Sequence, residues 1–173
     1  MPQYPALATL LKRVTTGLEF SAVPYLLKIW LEDYQRSTRN GEIVQTNVDS
    51  FDYLFDITHQ RLIAAWGISR GRHGAARDKS RMAGHPLGAG EGYHRGHAIP
   101  HTLGGPTDIN LVPQLGSVNI GPFRELERLA VATPGALYFS YWSYDHADSQ
   151  KPVAVQQGLL RPGADPQFRE HGN

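Results

Sequence analysis

The sequence has no cysteine. That excludes disulfides and thiolate metal centres, and leaves no mark of an oxidising compartment. It has almost no net charge, +1 from 17 Lys and Arg against 16 Asp and Glu, so no global field advertises a nucleic-acid or membrane-surface partner. Long hydrophobic runs are missing too: the best candidate, residues 21–31, holds Pro24 and Lys28 and falls short of the roughly 20 apolar residues of a membrane span. Lys12, Arg13 and Glu19 break up the N-terminal apolar stretch, so no signal peptide is expected. Internal repeats and low-complexity tracts are absent.

What is present suits one core. A chain of about 150 residues buries about 70% of its unfolded surface, and this one has 173 residues, 40% of them hydrophobic. Leu7, Leu10, Leu11, Val14 and Leu18 recur at helical spacing after Pro5. A second helical run, with Leu26, Leu27, Trp30, Leu31 and Tyr34, begins after Ser21 and Pro24 and ends before Gly41. Beyond Gly41 the period shortens to two. Ile43, Val44 and Val48 predict one strand, Phe51, Tyr53, Phe55 and Ile57 alternating with Asp52 and Asp56 a second, and residues 62–68 a third after the turn at Thr58, His59 and Gln60. Residues 136–144 and 153–160 predict two more strands, and the tail from 161 to 173, rich in Pro, Gly and charge, is expected to be loosely held.

Charge is concentrated in one place. From 70 to 81 the chain carries Arg70, Arg72, Arg77, Lys79 and Arg81 against the single acid Asp78. Such a cluster contacts phosphates whatever the total charge; its bland reading is a solvated basic loop. With the glycines at 84, 88, 90 and 92 it makes a long aperiodic stretch, unusual in a compact domain unless it binds something.

The stretch from Tyr93 to Glu127, YHRGHAIPHTLGGPTDINLVPQLGSVNIGPFRELE, holds the chemistry. His94, His97 and His101 invite a zinc reading, but Pro100 interrupts the helix that would bring His97 and His101 together. A single histidine used as a base fits better. Neutral imidazole near pH 7 takes a proton from water, and the hydroxide attacks a phosphodiester. Such attack adds negative charge, so a divalent cation and an arginine are needed at the phosphoryl and leaving oxygens. Magnesium keeps much of its hydration shell and takes few protein oxygens; the amide oxygen of Asn119 is one candidate. A helix opened by Pro122 comes next, with Phe123, Leu126 and Leu129 on its apolar face.

The joint pattern, His94-Arg95-Gly96-His97, then Asn110-x3-Gln114-x4-Asn119, then Glu127 in a helix, resembles the DNA/RNA non-specific endonucleases. These ββα-metal, or His-Me finger, nucleases carry Asp-Arg-Gly-His, then Asn-x3-Gln-x4-Asn, then a helical glutamate. The likeness extends more loosely over residues 53–160, and GGPTDINLVPQ looks especially like bacterial members found as toxin domains. It implies an α+β fold: a ββα-metal core with a central antiparallel sheet over 42–161, an N-terminal helical extension packing on it over 1–41, and a loose tail over 162–173. It implies a magnesium- or manganese-dependent endonuclease acting on DNA, with RNA an open alternative. His97 would be the general base, Asn119 the direct metal ligand, Glu127 a holder of the metal's hydration water, with Glu125 its competitor, and Arg95 a phosphate contact or a holder of the active-site loop. Asn110 and Gln114 would brace the loop by hydrogen bonds, and the basic segment would hold the backbone. His94 stands where the family has aspartate and is expected to fill the same hydrogen-bonding place. The toxin likeness implies an antibacterial effector made in the bacterial cytoplasm, delivered by a secretion system and countered by an immunity protein. Two other readings stay open: a catalytically weakened nucleic-acid-binding module and a zinc-stabilised interaction domain.

Overall fold

The first 41 residues place two helices against the sheet that the rest of the chain builds. In the computed structural model, which describes every residue except 15, 16, 77–79 and 87 and leaves the side chain at 81 undescribed, these are α1 (Leu7–Arg13) and α2 (Leu18–Ser37). The second begins earlier than the sequence suggests and runs through Pro24. Proline there removes the hydrogen bond to the carbonyl of Phe20, on the exposed side of the helix, where Phe20 is 83% exposed. The buried side of α2 carries Leu26, Trp30 and Tyr34.

Three antiparallel strands come after the helices: β1 (Ile43–Val48), β2 (Phe51–Asp56) and β3 (Arg61–Ile68). Simple alternation would put Phe55 and Ile57 on the same side as Tyr53 and keep Asp56 opposite. It does: the register shift between Leu54 and Phe55 puts the extra residue, Ile63, on β3, where the faces exchange, while β2 keeps its alternation with Asp52, Leu54 and Asp56 on one face. Asp56 is nevertheless fully buried, because its face is the one that Tyr34 of α2 covers, while Ile57 is 46% exposed. The buried carboxylate accepts hydrogen bonds from the Tyr34 hydroxyl at 2.7 Å and the His59 backbone at 3.1 Å, with the His59 ring nitrogen at 2.7 Å. Arg61 extends the network. Its Nε donates to the Tyr34 oxygen, its terminal nitrogens donate to Thr38 and to the carbonyls of His146 and Ser149, and its guanidinium lies 4.2 Å from the Tyr144 ring centre.

From β3 the chain makes a long excursion. It contains β4 (Tyr93–His97), β5 (Leu111–Leu115), α3 (Gly116–Ile120) and α4 (Phe123–Ala132), with β4 and β5 paired as a separate antiparallel ribbon. The chain then re-enters the main sheet as β6 (Leu137–Ser143), β7 (Ala154–Leu160) and β8 (Gln167–Gly172), giving the order β1-β2-β3-β6-β7-β8, antiparallel throughout. Trp30 of α2 packs on Phe139 and Tyr141, whereas Phe123 of α4 packs on Trp142. Successive strand residues point to opposite faces, so α2 covers one face of the sheet and the excursion the other. Coverage on both sides is why β3 and β6 are buried almost end to end.

Residues 167–172 correct the expectation of a loose tail: they are the edge strand β8. Phe168 stacks on Tyr4 with ring centres 5.1 Å apart. The Asn173 side chain accepts from the Leu115 backbone N–H at 2.8 Å and donates to the carbonyls of Pro113 and Pro152. It thus fastens the ribbon to the sheet. No helix among the described residues is long and apolar enough to cross a membrane.

Candidate active site

Strand β4 alternates, so Arg95 and His97 project from one face of the ribbon and His94 from the other. Gly96 has a steric reason. A Cβ there would come 2.7 Å from the Cβ of Gln114, whose side chain lies across the glycine. Gln114 is fully buried, and neither end of its amide has a hydrogen-bond partner among the described residues. The bracing expected of both motif residues therefore falls to Asn110. Its Oδ1 accepts from the Ile99 N–H at 2.7 Å, and its Nδ2 donates to the carbonyls of Ile99 at 2.8 Å and Pro106 at 2.9 Å. This closes the loop between β4 and β5 like a clasp, and fixes Pro100 and the short 3-10 turn His101–Leu103 beside His97.

The turn from β5 into α3 brings Asn119 back towards β4. Its Nδ2 is 3.5 Å from Nδ1 of His94, a long contact in which the amide nitrogen faces the ring. His94 therefore touches the residue expected to hold metal. The planar amide then carries its oxygen on the side away from the imidazole.

Helix α4 completes the site. Its buried residues are Phe123, Leu126 and Ala130, and Leu129, expected on that face, is 38% exposed. The reason is spacing: positions three and seven beyond Phe123 share its face, and position six does not. The other side presents Arg124, Glu127, Arg128 and Val131 to a cleft of about 580 Å³, which Arg95, His97 and Asn119 also line, with Arg72 and Thr102. Four residues expected to act together thus meet in one cleft. Glu125 does not line it.

Arg124 and Arg128 were missed by motif reading, although helical spacing carries the signal: Arg124 lies three residues before Glu127 and Arg128 four after Arg124. Arg72 joins from the basic segment. Four guanidinium groups face one carboxylate, Glu127, among the described lining residues, which suits a polyanion. On the sheet face that α4 covers, Tyr138 is fully buried. Burial raises its pKa far above the ordinary value and the nearby Glu127 charge adds to this, while a hydrogen bond from Gln157 at 2.7 Å opposes it. It stays a neutral hydroxyl.

Arg70 is exposed and lines a neighbouring pocket. Arg77, Lys79 and the Arg81 side chain lie outside the described residues. The rings of His97 and His101 are 6.1 Å apart, nearly perpendicular. Among the described residues no group of three His, Asp or Glu side chains converges as a metal site of the zinc type would require.

The fold is one found in solved nuclease structures. NucA from Streptococcus agalactiae with magnesium bound matches at a TM-score of 0.55 and 16% identity, covering 84% of this chain and 88% of that one. The same protein with no metal bound matches at 0.53 and 15%, covering 84% and 89%. No protein-family model and no curated protein matches the sequence.

Proposed function

We propose that the chain is a divalent-metal-dependent endonuclease of the ββα-metal kind, with the β4-β5 ribbon and the helices after it as its catalytic motif. Its reaction is hydrolysis of phosphodiester bonds in DNA, and RNA is the second substrate to be tested. One observation carries the reading: Arg95, His97, Asn119 and Glu127, spread over 33 residues of sequence, line one cleft with three further arginines. Fold likeness to the nuclease NucA, one structure of which contains magnesium, supports it.

The donors fit a hard cation. An amide oxygen on Asn119 and a carboxylate on Glu127 share a water-accessible cleft, and magnesium takes such oxygens while keeping much of its hydration. When bound there, magnesium or manganese supplies positive charge at the phosphoryl and leaving oxygens. His97 accepts a proton from water as the water oxygen bonds to phosphorus and the P–O bond to the leaving oxygen breaks. That oxygen takes a proton from solvent, leaving a phosphate monoester and an alcohol. Arg95, Arg124 and Arg128 hold the phosphate oxygens and stabilise the added charge. Glu127 orients water by accepting its hydrogen bonds.

His97→Ala is expected to lower plasmid cleavage in magnesium by about 10²- to 10⁴-fold, the usual worth of a general base, with unchanged circular dichroism. Intact plasmid with wild-type protein in magnesium and in manganese would sink the reading. A bare binding module would shift DNA in a gel and cut nothing. The effector role, with secretion-system delivery from a bacterial cytoplasm and a cognate immunity protein, rests on the likeness of GGPTDINLVPQ to toxin domains. Expression that harms a bacterial host only while His97 is intact supports it; harmless accumulation of an active enzyme removes it.

A further inference from the structure

A second cavity, of about 510 Å³, opens beside the cleft and includes Asp49, Arg70, Arg72, His73, Leu103 and Gly104 in its lining. Arg72 lines both cavities. The partition between them is the His101–Leu103 turn: Thr102 faces the cleft, while Leu103 and Gly104 face the second cavity. The turn is built firmly. The His73 N–H donates to the Thr102 carbonyl at 2.7 Å, and the Gly104 and Gly105 N–H groups donate to the carbonyls of His101 and Pro100. The imidazoles of His97, His101 and His73 succeed one another across it with ring centres 6.1 and 6.4 Å apart. Gly104 has φ +100°, and a Cβ there would lie 3.4 Å from the His73 ring, so the backbone passes close to that imidazole.

We propose that this second cavity is a subsite for a phosphodiester of the same strand, away from the one being cut, held by Arg70, Arg72 and His73. The inference rests on the nuclease reading and extends it: the strand leaves the cleft over the His101–Leu103 turn, with Arg72 as the shared contact. Both arginines are exposed and form no ion pair within 4.0 Å with a described acid. Forked guanidinium donors suit phosphate oxygens. Asp49 is the opposing charge in the cavity. It weakens phosphate binding there, and its removal gives the subsite a signature of opposite sign.

The test uses the full chain carrying His97→Ala and a fluorescent single strand of about ten nucleotides, within the usual span of a single-strand site. Anisotropy is read over a range of salt. Adding Arg70→Ala is expected to weaken binding several-fold and to reduce the slope of log K against log salt by about 0.7, one phosphate contact. Adding Asp49→Asn is expected to tighten binding. General damage to the fold would weaken both, so the opposite directions carry the result. Equal affinity in all three proteins, or loss in both, overturns the subsite. Plasmid cleavage by the wild type is measured separately. Cleavage without these binding effects removes the subsite alone, and the binding effects without cleavage keep the subsite and remove the nuclease reading.

Discussion

His94 is the residue at which chemistry and family pattern part. A carboxylate in its place would accept from the Asn119 amide and add a negative charge beside the residue proposed to hold the cation. The imidazole makes a 3.5 Å contact with the same amide and adds no such charge. A unit negative charge about 8 Å from a divalent cation gains about 1 kcal/mol in water and about 4 near a protein surface. The cost of stripping water places the effect near the low end, and 1 kcal/mol is about a fivefold change in an equilibrium constant. His94→Asp is therefore expected to lower the magnesium concentration for half-maximal cleavage about fivefold without lowering the maximal rate. An unchanged or higher magnesium requirement, in a variant of unchanged melting temperature, would show that the charge at this position is irrelevant.

Helix α4 shows what an element adds that a motif does not. One side inserts Phe123, Leu126 and Ala130 into the core, and the other carries Arg124, Glu127 and Arg128 to the cleft. Because these arginines are exposed, their replacement should cost little stability. Arg124→Ala with Arg128→Ala is expected to raise KM for DNA about a hundredfold, since each charge-assisted phosphate bond contributes about 1.5 kcal/mol or more, tenfold apiece, and to move the melting temperature little. A large loss of melting temperature would mean the pair is structural. Asn110→Ala should behave in the opposite way. It orphans the Ile99 N–H and two carbonyls, at about 1–3 kcal/mol for each buried group, and a lower melting temperature should accompany reduced cleavage. Elements with a clean period were legible in the sequence, α1 and β1–β3 among them, and so was the order of motif residues, four of which line one cleft. The strand β5 was not, because Pro113 sits in its middle and proline argues against strand. The edge strand β8 was hidden by its polar residues: Arg169 and Glu170 are exposed on opposite faces and leave little apolar alternation. Arg72 stood out in the sequence as a member of the basic segment, but its arrival in the cleft from that distant segment is something no local pattern encodes.

At the scale of the molecule, the excursion that carries the cleft and the polar network around Asp56 sit on the same six-stranded sheet but share none of the residues proposed for chemistry. That separation makes stability and activity independently testable. Burial acts to raise the Asp56 pKa, but hydrogen bonds from the Tyr34 hydroxyl and from the His59 ring and backbone outweigh it and hold it below the ordinary carboxylate value. A carboxyl with a lower pKa in the folded than in the unfolded chain stabilises the fold fully above the unfolded value. That contribution is lost as pH falls through the folded value. With an ordinary aspartate near 3.9, the loss falls below about pH 4. Wild-type melting temperature should therefore drop as pH is lowered from 4 towards 2. Asp56→Asn removes the charge while keeping much of the shape, and should cost about 3 kcal/mol near pH 7, the order seen when one partner of a buried charged network is deleted. Its melting temperature should then vary less with pH below 4 than that of the wild type. Cleavage by the variant, assayed well below its melting temperature, should match the wild type, because the network holds α2 and the strand turns rather than the cleft. If melting temperatures of the two proteins fall in parallel through that range, Asp56 does not govern the acid response, and the surface carboxylates do.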